Sequence, residues 1–170
     1  MKKLFLIIMM LLALPAMCLA NEPASSTHKT SKGKEVVIQS DLRTFDILKG
    51  IYDLQGNVHV QLPARDSSLT IKGDRTTVHI YKMEVHGKGN IILLYDDLDF
   101  RCDTVDVYHK NRTAFVNGNI KFKHDKTDIS ANKGNFNWKT KLASFEGNVI
   151  VNGKKQPGKV TYHILEKKFI

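Results

Sequence analysis

Histidines are the first candidates for chemistry in this sequence of 170 residues, since histidine serves as a metal ligand and as a general base. Metal sites bring such ligands together through short spacings such as H-x-H or H-E-x-x-H. No such spacing occurs here, and most of the histidines fall on the exposed side of expected strands. The sequence therefore predicts no metal site. The seven histidines are His28, His59, His79, His86, His109, His124 and His163.

A group of carboxylates near the middle of the chain could hold Ca²⁺, an ion that prefers oxygen ligands. Its members are Asp96, Asp97, Asp99, Asp103 and Asp106. Asp96 and Asp97 also fit a tight turn, and Asp103 belongs to a repeat described below. Both observations favour structural roles for these side chains over a calcium site.

Nucleophilic catalysis is not indicated either. Cys102 occupies a repeat position that Ser40, Gly73 and Ala131 hold in the other copies, so a small packing residue explains it. No Ser-His-Asp arrangement can be argued from spacing, and the GxxxxGK[ST] phosphate loop is absent from the sequence. We expect a protein that is not an enzyme and uses no cofactor.

One sequence motif, a Gly-Asn pair followed by alternating apolar residues, occurs four times. The glycines are Gly56, Gly89, Gly118 and Gly147, which are 33, 29 and 29 residues apart. A second mark lies 15 residues before each glycine, at Asp41, Asp74, Asp103 and Asn132. A constant offset with matching chemistry indicates a repeated structural unit.

Apolar residues in these units recur at every second position, which predicts β-strands rather than helices. Val, Ile, Phe, Tyr and Thr dominate them, as a half-buried pleated surface favours. Helical windows are absent after residue 20. We expect about ten strands in an antiparallel meander.

In every unit the apolar residues change once between odd-numbered and even-numbered positions, after the Asp or Asn that lies 15 residues before the glycine. In the last unit Ile129 and Ala131 are odd-numbered, whereas Phe136 and Trp138 are even-numbered. A slip of one residue exchanges the two faces of a strand, so its recurrence predicts stacked β-bulges. The sheet should therefore fold over into two facing layers. The apolar stripes are then either a closed core or the lining of an open groove.

The chain divides into three segments. Residues 1–20 combine Lys2 and Lys3, an apolar run and a small residue, Ala20, at the expected cleavage site, which predicts a cleaved secretory signal peptide. A retained membrane anchor is the alternative. Residues 21–34 predict a flexible leader, and residues 35–170 a single domain. Cleavage would lower the formal net charge from +9 to +7 by removing two lysines, and would leave Cys102 without a disulfide partner. A basic exported chain suits anionic lipids or phosphates, and no motif suggests nucleic acid.

The stretch ISANKGNFNWKTKLASFEGNVIVNG, Ile129 to Gly153, resembles the signature of OstA-like domains. This family includes the periplasmic lipopolysaccharide-transport proteins of the LptA and LptC type and the N-terminal domain of LptD. The resemblance spans about Glu35 to Val151. It implies an all-β fold, an open β-jellyroll made of a folded-over antiparallel sheet with about four repeats of roughly 30 residues.

The resemblance also implies a function. It suggests a periplasmic, LptA-type bridge that carries the acyl chains of lipopolysaccharide or a related glycolipid from the inner to the outer membrane. An inner-membrane transport ATPase complex and an outer-membrane assembly protein are the implied partners, with head-to-tail self-association through edge strands. A membrane-anchored LptC-type component and a lipid-free structural β-repeat scaffold are the alternatives.

An apolar groove is what such a carrier must offer, because burying a 12-carbon chain is worth on the order of 9 kcal/mol. The expected lipid-binding residues are Ile38, Phe45, Ile47, Val58, Val60, Ile71, Val78, Ile80, Phe100, Val107, Phe122, Ile129, Phe136, Trp138, Val149 and Val151. Lysines near the groove mouth could contact lipid phosphates. The candidates are Lys121, Lys123, Lys139, Lys141, Lys154 and Lys155.

Overall fold

The computed structural model describes residues 24–29, 35–64 and 67–170. All regular structure in these ranges is β, and no helix occurs in them. A search of the same residues finds no helix long and apolar enough to cross a membrane. The expected signal peptide, residues 1–20, lies outside the described residues.

Fourteen strands make up the described structure, and the long ones have 11 to 14 residues. They are β1 (Ala24–Lys29), β2 (Glu35–Ser40), β3 (Leu42–Asp46), β4 (Ile51–Ala64), β5 (Ser67–His79), β6 (Glu84–Tyr95), β7 (Leu98–Tyr108), β8 (Thr113–His124), β9 (Thr127–Asn137), β10 (Leu142–Glu146), β11 (Ile150–Val151), β12 (Lys154–Lys155), β13 (Val160–His163) and β14 (Lys168–Phe169).

These strands form one antiparallel sheet in the order β1-β2-β4-β5-β6-β7-β8-β9-β10-β13-β14. Strand β3 pairs with β4 beside this path, and β11 pairs with β9 and β12. Neither end of the path pairs with the other among the described strands, so the sheet is open. The all-β meander expected from the apolar spacing is confirmed.

Each pairing from β4–β5 to β8–β9 contains one shift of register, always at a Gly-Asn pair or its Asp or Asn mark. The five shifts lie side by side, and we call this line of bulges the spine. It divides every long strand into two halves. Layer A contains residues 58–64, 67–73, 91–95, 98–102, 120–124 and 127–131, together with β2, which pairs with this half of β4. Layer B contains residues 51–55, 75–79, 84–88, 104–108, 113–117 and 133–137, together with β3, β10 and β13.

The repeated motif builds the spine. Gly118 and Asn119 both have positive φ angles, +77° and +46°, and the Asn119 amide donates to the Asp103 carboxylate at 2.9 Å. Glycine adopts this backbone region without steric penalty, and asparagine tolerates it better than most residues. The same side-chain bond joins Asn57 to Asp41 at 2.8 Å and Asn90 to Asp74 at 2.9 Å. Each of these three units therefore carries its own clamp at the bulge.

The fourth unit has Asn132 at the acidic position. Its backbone amide donates to the Gly147 carbonyl at 2.8 Å, as Asp41 does to Gly56 at 3.0 Å in the first unit. Gly147 and Asn148 keep the positive φ angles of the other copies, +75° and +51°. The backbone geometry of the unit thus survives the exchange of aspartate for asparagine.

Strand β1 lies within the stretch for which the sequence predicts a flexible leader. Residues 24–29 pair with β2 in a continuous antiparallel register. Every residue of this strand has the backbone N–H and C=O groups that strand pairing needs, so a strand can pair at a sheet edge without apolar periodicity. The described sheet therefore includes residues 24–29, while residues 21–23 and 30–34 lie outside the description and the domain boundary at residue 35 stays a prediction.

Candidate lipid-binding interior and its mouth

An unbroken row of apolar residues crosses layer A. Directly opposed neighbours in the register are Ile38, Val60, Ile71, Leu93, Phe100, Phe122 and Ile129, all with a relative exposure of 0%. One side chain comes from each strand, because the equal repeat length places equivalent residues side by side. The row is the structural consequence of the repeat.

Layer B carries a matching row. Its opposed neighbours are Tyr52, Val78, Val85, Val107, Ala114, Phe136, Ala143 and Tyr162. All of them are buried. The two rows face one interior, which runs across the strands along the length of the sheet.

Most of the expected lining residues lie in this interior. Those that are buried are Ile38, Val58, Val60, Ile71, Val78, Phe100, Val107, Phe122, Ile129, Phe136, Trp138 and Val149. Ile80 and Val151 are partly buried and pack against the same cluster. Their placement makes them available to an acyl chain between the layers, and their contact with lipid stays a prediction.

Phe45 and Ile47 lie elsewhere, with exposures of 40% and 70%. Phe45 belongs to edge strand β3 and stacks on Tyr52 with ring centroids 4.2 Å apart. Ile47 lies in the turn that follows β3. We leave both out of the proposed lining, because their exposed surfaces lie at the end of layer B and not between the layers.

Several interior residues were missed as lining residues. Leu93 lies between Ile71 and Phe100 in the layer A row, and Phe145 is fully buried against the aromatic residues of layer A. Leu93 follows its Gly-Asn pair at the spacing of Val60 and Phe122, so the repeat itself could have identified it. Phe145 precedes its pair, where the expected lining included no residue.

The interior is filled by the side chains of both layers. Phe100 and Phe122 of layer A contact aromatic rings of the opposite layer, with centroid distances of 5.7 Å from Phe100 to Phe136 and 5.1 Å from Phe122 to Phe145. Tyr95 lies 5.4 Å from Phe136 in the same way. The two layers are in contact at these rings, and the groove for lipid that the resemblance implied stays a prediction. Aromatic side chains are large enough to bridge the narrow gap between two sheet layers.

The edge of the fold opposite the spine is the mouth, where chain turns of the two layers face each other. Lys141 Nζ donates to the Tyr95 hydroxyl at 2.6 Å and lies 4.4 Å from the centre of that ring. His109 Nε2 lies 2.7 Å from the Pro63 carbonyl oxygen. Because a carbonyl only accepts, this nitrogen must carry the proton.

A third pair, Lys167 and Asp125, joins the rims at 3.0 Å. These three contacts, which we call the seam, link residues 46, 46 and 42 positions apart in the chain. The near-constant separation means that each turn of layer A meets a turn of layer B about one and a half repeats further on. Such an offset is expected from the right-handed twist of the sheet.

The two rims of the mouth differ in charge. The described layer A turns carry Asp96, Asp97 and Asp125 together with one lysine, Lys126. The layer B turns carry one acidic residue, Glu166, and the basic residues Lys49, Lys82, Lys110, Arg112, Lys139, Lys141 and Lys167. The Lys167 ammonium lowers the pKa of Asp125 mainly by hydrogen bonding, and the carboxylate in turn raises the pKa of Lys167. Opposite charges thus attract the rims to each other.

The lysines expected at the groove mouth separate into two groups. Lys139 and Lys141 lie in the mouth turn between β9 and β10. Lys121 and Lys123 are exposed on the outer face of layer A, and the remaining two, Lys154 and Lys155, form β12. The first group lies at the mouth, and contact of any of the six lysines with a lipid phosphate stays a prediction.

The other reactive side chains have structural partners. Burial raises the pKa of the Cys102 thiol to about 12, and Sγ donates to the Thr104 carbonyl at 3.2 Å, so this cysteine is a packing residue. Asp96 and Asp97 form the turn between β6 and β7. Among the described residues, no group of three or more His, Cys, Asp or Glu side chains could hold a metal ion.

The fold and the apolar interior define a class of open β-jellyroll. No protein-family model matches the sequence, and no curated protein matches it significantly. The structure is similar to that of LptH from Pseudomonas aeruginosa, described as the LptA-homologous periplasmic component of the conserved lipopolysaccharide transport device. The TM-score is 0.54 at 15% sequence identity, covering 69% of this chain and 80% of LptH. This chain has the LptA-like fold, which confirms the predicted resemblance at the level of structure.

Proposed function

We propose that this protein is an LptA-type periplasmic carrier, which holds the acyl chains of lipopolysaccharide or a related glycolipid between its two layers. The observation that carries the proposal is the pair of facing apolar rows in an open sheet with the LptA-like fold. A closed barrel would have no mouth through which a chain could leave. The periplasmic location and the role in transport follow from the likeness to LptH and are part of the proposal.

Binding of an acyl chain requires the two layers to separate at the mouth. The layers are continuous at the spine, whereas the described mouth is held by the three seam contacts and by the Tyr162 hydroxyl, which lies 3.1 Å from His124 Nδ1 and 3.4 Å from Thr127 Oγ1. The hydrogen bonds of His109 and Lys141 contribute about 1 kcal/mol each, and water screens the exposed pair of Lys167 and Asp125. Burying a 12-carbon chain gains on the order of 9 kcal/mol, and the chain itself then packs against the separated rings. The gain from burial therefore exceeds the cost of opening the seam.

Extraction of lipid from the exported protein tests the proposal. The protein is purified from a periplasmic fraction, extracted with organic solvent and analysed by mass spectrometry. We expect a glycolipid with acyl chains in the extract, and none after the same protein has been unfolded, washed free of lipid and refolded. Failure to recover lipid, together with failure of the refolded protein to bind added lipopolysaccharide, would contradict the carrier function.

A lipid-free scaffold is the second candidate, and the filled interior is the observation that favours it. Side chains of a permanent core pack once and stay in contact, so such a protein would bind no amphiphile at any concentration. The refolded, lipid-free protein separates the two functions. Saturable uptake of lipopolysaccharide supports the carrier, and its absence supports the scaffold.

The partners proposed are an inner-membrane transport ATPase complex, an outer-membrane assembly protein and further copies of the chain. Strands β3 and β14 each pair on one side only, and exposed apolar residues lie on or beside them: Leu42 at 60%, Phe169 at 44% and Ile170 at 67%. Unpaired edges accept strands from a neighbour. An anchored LptC-type protein remains the alternative, and N-terminal sequencing of the exported chain distinguishes it through an uncut leader.

A further inference from the structure

The two cations of the seam lie next to each other on the same rim. Lys141 and Lys167 belong to neighbouring turns of layer B, and the Ile164 amide donates to the Lys141 carbonyl at 2.9 Å, which holds these turns side by side. Both ammonium groups point across the mouth, since their partners Tyr95 and Asp125 are on layer A. An amphiphile that enters between the layers at this point must break both contacts.

A phosphate would be a better hydrogen-bond acceptor for Lys141 and Lys167 than their present partners are. The Tyr95 hydroxyl is a neutral acceptor, and the Asp125 side chain is 45% exposed, so water screens its attraction to Lys167. A phosphate offers several charged oxygens to both ammonium groups at once. Acyl chains that entered the apolar interior behind the seam would hold the phosphate at the mouth.

We propose that the seam is a lateral entrance for amphiphiles that bear a phosphate, and that Lys141 and Lys167 transfer from Tyr95 and Asp125 to that phosphate when the mouth opens. The inference rests on the proposed function and adds to it the recognition chemistry of the polar head. It also assigns opposite effects to the two sides of the seam. The lysines promote binding of the phosphate ligand, whereas Tyr95 and Asp125 compete with it.

A pair of soluble ligands tests this recognition directly. Dodecanoyl glycerol 3-phosphate and dodecanoyl glycerol share the same acyl chain and differ in the phosphate. Their dissociation constants are measured by calorimetric titration of the exported protein after it has been unfolded, washed free of lipid and refolded. We expect the phosphate ligand to bind about tenfold more tightly, as one or two charge-assisted contacts imply. The double variant Lys141→Gln/Lys167→Gln should lose this preference. Because it also removes two contacts that hold the mouth shut, it should bind the neutral ligand at least as tightly as the unaltered protein does.

Variants on the acidic rim provide the test of sign. Tyr95→Phe and Asp125→Asn should each raise the affinity for the phosphate ligand severalfold, because the facing lysine no longer has a competing acceptor. The matched control is Lys121→Gln/Lys123→Gln, which removes two exposed lysines from the outer face of layer A and should change neither dissociation constant.

Retention of the phosphate preference in Lys141→Gln/Lys167→Gln would overturn the inference. Weaker phosphate binding in Tyr95→Phe or Asp125→Asn would also overturn it, since that result assigns both rims a merely structural role. Equal binding of the two ligands by the unaltered protein would contradict the inference that the seam recognises a phosphate, but it would not contradict the carrier function. Binding of neither ligand contradicts the carrier function itself, and the entrance with it.

Discussion

Each Gly-Asn pair places two consecutive residues in the left-handed backbone region, and this local geometry decides where the sheet bends. The pairs occur at the bulges, and aspartates at three of the four marks accept a hydrogen bond from the asparagine side chain. An L-residue other than asparagine or glycine would be strained there. At the residue scale, the bent shape of the sheet therefore depends on the Gly-Asn pairs at the spine.

Substitution Gly118→Ala should lower the free energy of unfolding by about 1–3 kcal/mol. The backbone at this position has a φ of +77°, which strains an alanine, and the new Cβ would collide with the Asp103 side chain. Two controls separate these causes. Gly153→Ala has a φ of +79° with open space around it, and Gly158→Ala has neither a positive φ nor a neighbour within 4 Å. Urea denaturation should rank the losses in that order, and equal losses at all three glycines would contradict the clamp.

The Cys102 thiol should be unreactive in the folded protein. Burial raises its pKa to about 12, so at pH 8 almost no thiolate is present and alkylation by iodoacetamide should be slower by orders of magnitude than in urea. A Cys18→Ser background leaves Cys102 as the single thiol in the chain. Labelling followed by mass spectrometry measures the rate. Equal rates in the folded and unfolded protein would show that the interior is not closed at this position.

Each long strand bends at its bulge, so its two halves belong to two surfaces that face each other. The half of each strand before its bulge and the half after it present apolar residues to the same interior, because the register shift exchanges the faces. Phe122 of β8 therefore faces Phe145 of β10 across the layers, while Phe115 of the same strand β8 points outward and is 43% exposed. At the element scale, one strand thus contributes a buried ring from one half and an exposed ring from the other.

This contrast predicts unequal effects of two otherwise identical substitutions. Phe122→Ala removes a fully buried ring and should lower the free energy of unfolding by about 3–5 kcal/mol. Phe115→Ala should lower it by less than about 1 kcal/mol, since the ring is already in contact with solvent. Denaturant unfolding measures both, and similar losses would mean that the described interior is not the core.

Much of the fold follows from the sequence alone, since equal spacing and alternating apolar residues require stacked strands. The buried positions of Val60, Ile71 and Phe100 follow from the same rule. The placement of Phe45 does not, because its strand lies at a sheet edge and no local pattern distinguishes an edge from the centre. The contact of Lys141 with Tyr95 is also beyond prediction, since it depends on the twist that offsets the two rims.

The described part of the molecule is a sheet that is continuous at the spine and joined at the mouth by side-chain contacts, and its strands β3 and β14 each pair on one side only. The spine is made of backbone and cannot separate without unfolding. The seam and the edges depend on exposed or half-exposed groups. At this scale, the weakest boundaries of the structure are those through which ligands and neighbouring molecules would act.

Self-association through the edges should respond to a charge placed on edge strand β3. We expect Leu42→Lys to shift sedimentation velocity profiles toward the monomer, because a lysine on an exposed edge opposes strand addition. Phe115→Lys is the control, since it also replaces an exposed apolar residue but lies on an inner strand. An unchanged distribution for Leu42→Lys, with oligomers present in both samples, would exclude β3 from the contact.

Site-specific photocrosslinking tests most directly whether an acyl chain lies between the layers. A photoreactive residue replaces Phe136 or Trp138 inside, or Phe115 outside as the control, and the exported protein is irradiated in cells. We expect lipopolysaccharide adducts from the two interior positions and none from position 115. Adducts confined to the chain's own residues at positions 136 and 138 would contradict the carrier and indicate a permanently packed core.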